Sequence, residues 1–313
     1  MPASRNEGDL DSEIRVFLGT KFPNATIHSI RNTNNLVYRI ECAGKTFSDK
    51  VMVDDDIPVE YFVEFSKELQ KSIRTQAIIE VFRKHEGAPS DCIVSSFIEG
   101  RDLAKVLNGR DAARSRNLIG FLLKYVETCV NLPRFFEGFG TYKTRSVRFE
   151  KFEEFLDFHA RKYWSRARKF YDPAVAHAVD RWVDGLEQVA KTARSFRPVA
   201  IDSNLRNFIV DDSGEVILLN VPIVAWSCRA HAVGAVSAHL RPFRFRDEWL
   251  DRATENWSAE ERASVSHYEA WTLLGILSFY AVRAPDRPDE WRNWGAERSL
   301  REDFADLILQ LDD

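Results

Sequence analysis

The sequence predicts an α+β fold with a small antiparallel β lobe and a larger, mostly helical lobe. Residues 25–53 form alternating or β-rich runs around two turns, as antiparallel strands do. Residues 102–195 place apolar side chains at helical spacing almost throughout. A chain of 313 residues exceeds the usual size of one hydrophobic core, which suits one large or two modest domains. We predict an N-terminal β-rich lobe at 1–96 and a C-terminal helical lobe at 97–313.

The β lobe is expected to begin with strands around an Asn-rich turn at 32–35 and a second turn at Ala43-Gly44. Residues 58–86 then repeat apolar side chains at helical spacing, which predicts one or two helices. The repeating positions include Phe62, Phe65, Leu69, Ile73, Ile78 and Phe82. A short apolar strand from Ile93 to Ile98 is expected to follow.

The helical lobe shows its strongest helical periodicity in six segments, at 116–132, 149–171, 175–196, 246–255, 260–282 and 298–311. One of them carries an aromatic stripe made of Phe149, Phe152, Phe155 and Phe158. Aromatic residues at this spacing are expected to pack in the core rather than to line a ligand cage.

Composition excludes several classes of function. The formal net charge of −4 gives no reason to expect a nucleic-acid partner or attraction to an anionic membrane. The four cysteines are far apart, and the seven histidines form no metal-ligand spacing, so neither a zinc site nor a disulfide framework is indicated. No apolar run approaches the roughly 20 residues needed to cross a bilayer. We therefore expect a cytoplasmic protein with no membrane partner.

The richest polar pattern lies in residues 200–222, AIDSNLRNFIVDDSGEVILLNVP. Its Asp-Asp-Ser-Gly turn separates two apolar runs, and a hairpin of this kind places Asn207 and Asn220 at neighbouring strand ends. Asp202 faces the same space if the loop before Asn207 curls back. One carboxylate and two amide oxygens suit Mg²⁺ that is shared with substrate phosphates. The plainer alternative is a polar loop, in which Asp202 caps backbone N–H groups and Asn207 forms an Asx turn.

The order of these features resembles the aminoglycoside phosphotransferase and choline kinase branch of the protein-kinase-like fold. A strand with the lysine of FSDKV precedes a helix, a hinge strand ending in FIEG, a helical lobe and the pattern D-x4-N-F-I-V-D-D-x-G. The resemblance extends over nearly the whole chain, and its most specific part is DSNLRNFIVDDSGEV. It implies an ATP-dependent phosphotransferase acting on a hydroxyl of a small molecule, such as an antibiotic or a natural-product intermediate. ATP or another nucleoside triphosphate and Mg²⁺ are the implied cofactors.

The resemblance also implies roles for individual residues. Asp202 matches the catalytic base that orients the acceptor hydroxyl and accepts its proton. Asn207 matches the loop asparagine that binds Mg²⁺, and Asn220 falls at the second metal-binding position. Lys50 matches the strand lysine that holds the α- and β-phosphates, although a solvated strand lysine is the plainer interpretation.

The adenine and phosphate ends of the nucleotide site are implied in the same way. Backbone groups at Ser96, Phe97 and Ile98 occupy the hinge position that would meet adenine. Asn35 ends the segment NTNN, which lies where the family has its phosphate-covering turn. The glutamate that would pair with the lysine is left open among Glu64, Glu68 and Glu80.

The sequence departs from the family pattern at three positions. Ala200 stands where the family usually has histidine, Asn220 where it has aspartate, and Ala232 where a structural aspartate is expected. The change at Asn220 removes a full negative charge beside a divalent ion. These departures motivate a second hypothesis, in which a degenerate kinase-like fold acts as a binding or regulatory module or uses its pocket for other chemistry.

Overall fold

The computed structural model describes residues 7–31, 36–52, 59–107, 112–134, 137–141, 148–292 and 298–312. Two compact units are present. Unit 1 consists of Met1–Glu99 and Ile217–Val221, and unit 2 of Gly100–Val216 and Pro222–Asp313. The predicted α+β class is confirmed, since unit 1 contains an antiparallel sheet and unit 2 is mostly helical. The predicted division at 96/97 stays a prediction; the compact units place 217–221 with the first part of the chain.

Unit 1 is built on a five-stranded antiparallel sheet. Its strands lie in the order β1 (Thr26–Arg31), β2 (Leu36–Cys42), β3 (Lys45–Val51), β5 (Cys92–Ser96) and β4 (Ile78–Phe82). Ala43 and Gly44 join β2 to β3 with φ angles of 49° and 74°, the left-handed geometry of a tight hairpin turn, as the sequence predicts. The described residues of the unit also form two α-helices. The bounds are α1 Glu7–Lys21, β1 Thr26–Arg31, β2 Leu36–Cys42, β3 Lys45–Val51, α2 Val59–Gln70, β4 Ile78–Phe82 and β5 Cys92–Ser96.

Two features of unit 1 differ from the sequence prediction. Helix α1 was not predicted, yet its Leu10, Ile14 and Leu18 pack in the core against the sheet. The helical prediction for 58–86 is wrong beyond Gln70, because Ile78–Phe82 form the edge strand β4. β-Branched residues favour a strand, and pairing with β5 determines the outcome for this short apolar segment.

Unit 2 has a helical core. Most of its buried side chains come from α5 (Phe152–Ala167), α6 (Pro173–Thr192), α9 (Ala259–Arg283) and α10 (Leu300–Asp312). Phe152 and Phe155 are buried there, as the aromatic stripe predicts, whereas Phe158 is 43% exposed. The bounds are β6 Arg101–Asp102, α3 Leu103–Leu107, α4 Ala112–Val130, α5 Phe152–Ala167, α6 Pro173–Thr192, β7 Arg197–Ala200, β8 Phe208–Val210, β10 Val224–Ser227, α7 Arg229–Leu240, α8 Arg246–Ala253, α9 Ala259–Arg283 and α10 Leu300–Asp312. Strand β9, Val216–Leu218, begins at the last residue of the Gly100–Val216 part of unit 2, and its Ile217 and Leu218 belong to unit 1.

Helices α7 and α9 approach each other closely at Gly234. A Cβ atom at this position would lie 2.8 Å from the backbone N of Glu269 and 2.8 Å from the carbonyl O of Val265. The Glu269 carboxylate is fully buried and accepts hydrogen bonds from Ser237, Arg241 and Arg246. A small residue and a paired buried charge therefore fix this crossing.

Two short pairings in unit 2 determine where the polar loop at 201–207 begins and ends. Strand β7 pairs antiparallel with β10, with Ala200 opposite Val224, and β6 pairs with β8. Gly100, immediately before β6, has a φ of 153°, and a Cβ there would lie 2.5 Å from the carbonyl O of Val210. Only glycine allows β6 this close to β8. Among the described residues, no helix is long and apolar enough to span a membrane.

Candidate active site

Lys50 lies in the middle of the sheet of unit 1. Strand β3 runs between β2 and β5, with Lys50 opposite Val37 and Ile93. Its Nζ donates a hydrogen bond of 3.4 Å to Oδ1 of Asn220, a residue 170 positions away. Both residues belong to unit 1, so the structure brings together the predicted phosphate-binding lysine and one predicted metal ligand.

Helix α2 presents an aromatic ring to this lysine. The Nζ of Lys50 lies over the ring of Phe62, 4.6 Å from its centroid. Of the three glutamates left open by the sequence, Glu68 pairs with Lys71 at 2.6 Å, and Glu64 and Glu80 are exposed. Helical spacing predicts that Phe62 lies in the core, but it does not reveal which residue of the helix faces a distant strand.

The hinge segment begins at the end of β5, and the backbone groups of its first two residues, Ser96 and Phe97, are largely hydrogen-bonded within unit 1. Ser96 donates its N–H to Ala77 O at 2.8 Å and accepts from Nε2 of Gln76 at 2.6 Å. Phe97 donates its N–H to Thr46 O at 3.3 Å. Ile98 follows outside any strand and is half-buried, and no backbone hydrogen bond of Ile98 is found within the described part of the chain. Gln76 was not identified from the sequence.

The predicted phosphate-covering turn cannot be placed. Asn35, with the rest of 32–35, lies outside the described residues. Its role therefore stays a prediction.

Asp202 and Asn207 lie in unit 2, on the loop between β7 and β8. Asp202 is half-buried and follows Ile201, whose N–H donates to Ile223 O at 2.9 Å and extends the β7–β10 ladder. Residues Leu205–Asn207 form a single 3-10 turn, capped by the Asn204 side chain, which accepts from the N–H of Arg206 at 3.0 Å. The loop therefore contains a tight turn that ends at Asn207. Whether Asn207 and Asn220 meet remains a prediction, since the two residues belong to different units.

Two of the three positions that depart from the family pattern carry buried alanine side chains. Ala200 is 1% exposed at the end of β7, and Ala232 is 1% exposed on α7. Neither side chain can make the polar contacts expected of histidine or aspartate. The turn after β8 is more conventional, since Asp211 accepts from the N–H groups of Ser213 and Glu215, both at 3.0 Å. Gly214 has a φ of 84° in this turn.

A buried carboxyl lies next to Lys50 in sequence. Asp49 is fully buried on the sheet face covered by α1, opposite Tyr38 and Val94. Neither of its oxygens has a hydrogen-bond partner within the described residues. Burial raises the pKa of the Asp49 carboxyl to about 7. Nothing in the local sequence pattern signals this group.

Asn220, one of the two predicted metal ligands, offers an amide oxygen. Among the described residues, no group of three or more histidine, cysteine, aspartate or glutamate side chains is arranged to hold a metal ion. The Oδ1 atom of Asn220 is a hard donor of the kind that Mg²⁺ accepts, although it is neutral and receives the Lys50 hydrogen bond. It is thus suited to a shared rather than an all-protein metal site.

Comparison with solved structures identifies the same fold in small-molecule kinases. Aminoglycoside phosphotransferase APH(4)-Ia matches with a TM-score of 0.66 at 12% identity, over 96% of this chain and 97% of that one. A choline/ethanolamine kinase family protein from Mesorhizobium loti matches with a TM-score of 0.64 at 17% identity, over 97% and 95% of the two chains. Choline kinase LicA from Streptococcus pneumoniae matches with a TM-score of 0.59 at 11% identity, over 96% and 99%.

Some of these structures contain ligands. Mutants of APH(4)-Ia form ternary complexes with hygromycin B and either ADP or AMP-PNP. No protein-family model and no curated protein sequence matches this chain. At such low identity, the likeness establishes the fold.

Proposed function

We propose that this chain, which has the fold of the aminoglycoside phosphotransferases and choline kinases, is an ATP-dependent phosphotransferase acting on a hydroxyl of a small molecule. The observation that carries the proposal is the hydrogen bond from Lys50 Nζ to Asn220 Oδ1. It joins two residues that the sequence assigned separately to phosphate binding and metal binding. The alternative interpretation, a solvated strand lysine, does not predict a contact with Asn220.

The nucleotide is proposed to bind with adenine at the hinge and its phosphates at Lys50. Ile98 supplies the backbone N–H and C=O for adenine, since the N–H groups of Ser96 and Phe97 already donate within the sheet. Lys50 holds the α- and β-phosphates through its ammonium group. Asn35 is proposed to lie near the phosphates.

Mg²⁺ is proposed to be held by Asn207 and Asn220 together with the nucleotide phosphates. When bound, the ion neutralises charge on the transferring phosphoryl group. Two neutral ligands give a weaker site than two carboxylates would, because each lacks a full negative charge. Retention of the ion then depends on the nucleotide.

Asp202 is proposed to act as the catalytic base. Its carboxylate accepts a hydrogen bond from the acceptor hydroxyl and orients it in line with the γ-phosphorus. The acceptor oxygen forms the new P–O bond as the bond between the γ-phosphorus and the β,γ-bridging oxygen breaks. The hydroxyl proton passes to Asp202, and ADP leaves with the bonding electron pair.

The acceptor is proposed to be a hydroxylated small molecule bound near residues 241–252, RPFRFRDEWLDR. In this segment Arg241 and Arg246 are engaged with Glu269, at 2.8 Å each, and Arg244 is exposed. Arg244 and Arg252, which is also exposed, are therefore the arginines of the segment best able to contact an acceptor. A cytoplasmic location is proposed as well, consistent with the free cysteines Cys42, Cys92, Cys129 and Cys228.

Calorimetric titration with ATP, in the presence and absence of Mg²⁺, tests the proposal. We expect micromolar binding that strengthens with the metal, followed by ADP release when hydroxylated small molecules are screened as acceptors. No binding at millimolar nucleotide would overturn the proposal. That result would favour the alternative of a binding or regulatory module, for which the neutral Asn220 and the apolar Ala200 and Ala232 are the specific evidence.

A further inference from the structure

We infer that Phe62 is a positioning residue for Lys50, and that its ring aims the ammonium group at the nucleotide phosphates. The inference rests on the proposed function. It adds an aromatic residue of α2 to a site that the sequence described through lysine, aspartate and asparagine alone.

The geometry is that of a cation–π contact. The Nζ of Lys50 lies 4.6 Å from the centroid of the Phe62 ring, inside the distance of roughly 6 Å at which the ring quadrupole attracts a cation. Phe62 is only 8% exposed, so little water competes for its ring. Burial of this kind strengthens the attraction relative to an exposed pair.

The ring itself is held in place. Tyr61 packs against Phe62 edge to face, with centroids 5.3 Å apart and an interplanar angle of 85°. Tyr61 also packs on Phe65 at 4.5 Å, so one turn of α2 forms a continuous aromatic layer. A ring fixed in this way offers the lysine a defined surface rather than a mobile contact.

The ring and Asn220 restrain Lys50 in complementary ways. Oδ1 of Asn220 accepts one directional hydrogen bond at 3.4 Å, whereas the ring attracts the ammonium group without using an N–H. Both contacts are neutral. They orient the flexible side chain, and neither brings a negative charge that would compete with the phosphate oxygens for the ammonium group.

A second pair in unit 1 provides a matched control. The Nζ of Lys21 lies 5.4 Å from the ring centroid of Phe82, and Phe82 is also 8% exposed. Phe82 packs with α1 and the sheet, in the core cluster that contains Leu10 and Tyr38. Phe82→Leu therefore removes an equally buried ring beneath a lysine that has no proposed role in phosphate binding.

The experiment compares Phe62→Leu, Phe62→Met, Phe62→Tyr and Phe82→Leu in the full chain, with thermal unfolding recorded for each. Calorimetry measures the affinities for ATP, ADP and adenosine. We expect Phe62→Leu and Phe62→Met to weaken ATP and ADP binding roughly three- to tenfold and to leave adenosine binding unchanged. Phe62→Tyr should retain wild-type affinities because its ring is kept. Phe82→Leu should leave the ratio of ATP to adenosine affinity unchanged.

The outcomes separate this inference from the proposed function. If Phe62→Leu and Phe62→Met lose equal affinity for ATP and for adenosine, or lose none for either, the positioning role of Phe62 is overturned. The proposed function would still stand in that case, provided that the wild-type chain binds nucleotide. A change in the ATP-to-adenosine ratio in Phe82→Leu would also overturn it. A wild-type chain that binds no nucleotide would overturn both. If Phe62→Leu fails to fold, Phe62→Met and Phe62→Tyr decide the question.

Discussion

Lys50 and Asn220 are joined by a hydrogen bond of 3.4 Å although 170 residues separate them in the chain. Asn220 belongs to the segment Ile217–Val221, which packs with the first unit, and that segment forms a parallel bridge between Leu218 and Thr75. The side chain at position 220 is a neutral amide beside the proposed phosphate-binding lysine. Adding a charge at this position is therefore the most direct test of how the site binds metal and nucleotide.

Asn220→Asp adds a carboxylate beside Lys50, and its effect should depend on Mg²⁺. With the metal present, the added charge should tighten nucleotide binding about tenfold, since a carboxylate is a better Mg²⁺ ligand than an amide. With EDTA, the same charge should repel the phosphates and weaken binding. Calorimetry under both conditions measures the difference. Asn131→Asp, at an exposed position next to the end of α4, is the control for net charge. An unchanged metal dependence in Asn220→Asp would rule out Asn220 as a ligand.

Asp202→Ala should abolish phosphoryl transfer while preserving nucleotide affinity. The carboxylate is proposed to contact the acceptor hydroxyl, and the nucleotide is proposed to bind through Lys50 and the hinge. Turnover is measured as ADP release with any acceptor found in the screen, and affinity by calorimetry. Asp212→Ala, in the exposed turn after β8, should retain both properties. Turnover in Asp202→Ala within a few fold of wild type would exclude the base assignment.

The sequence predicts those features that depend on neighbouring residues. The Ala43-Gly44 turn needs two left-handed residues in succession, and the Asp211–Gly214 turn is stabilised by its own side chains, so both are local. Strand β4 is different, since Ile78–Phe82 become a strand only by pairing with β5. The contact of Lys50 with Phe62 depends on how α2 is rotated over the sheet, which no local pattern specifies.

Asp49 should make the protein less stable as the pH rises. Its pKa is near 4 in the unfolded chain and about 7 in the folded protein, so the folded state binds the extra proton between these values. The contribution of Asp49 to the free energy of unfolding therefore falls as the pH rises from about 4. This contribution is fully lost above a pH of about 7. Asp11 and Arg15 of α1, which hydrogen-bond to each other, are charged groups on the same face of the sheet.

Asp49→Val isolates this effect. The variant should raise the free energy of unfolding at pH 8 by at least about 1 kcal/mol, with a smaller gain at pH 5, because the unpaired charge is removed. Urea unfolding at the two pH values measures it. Burial lowers the pKa of His159 to about 4 and of His231 to about 3, which favours folding at higher pH in wild type and variant alike. Asp251→Val, exposed on α8, should not alter the pH dependence. Equal gains at pH 5 and 8 would contradict the assignment to Asp49.

Gly234→Ala tests the packing of α7 on α9. The added Cβ would lie 2.8 Å from two backbone atoms of α9, the N of Glu269 and the O of Val265, and neither can move without shifting the helix. We expect a loss of about 2–3 kcal/mol in the free energy of unfolding, the size found when a well-packed contact is overfilled. Gly185→Ala is the matched control, because a Cβ at that position of α6 meets nothing within 4 Å. The control should instead gain roughly 0.5–1 kcal/mol, since alanine favours the helix over glycine. Urea unfolding of both variants measures the difference, and equal effects in the two would show that helix propensity, rather than the α7–α9 contact, determines the result at Gly234.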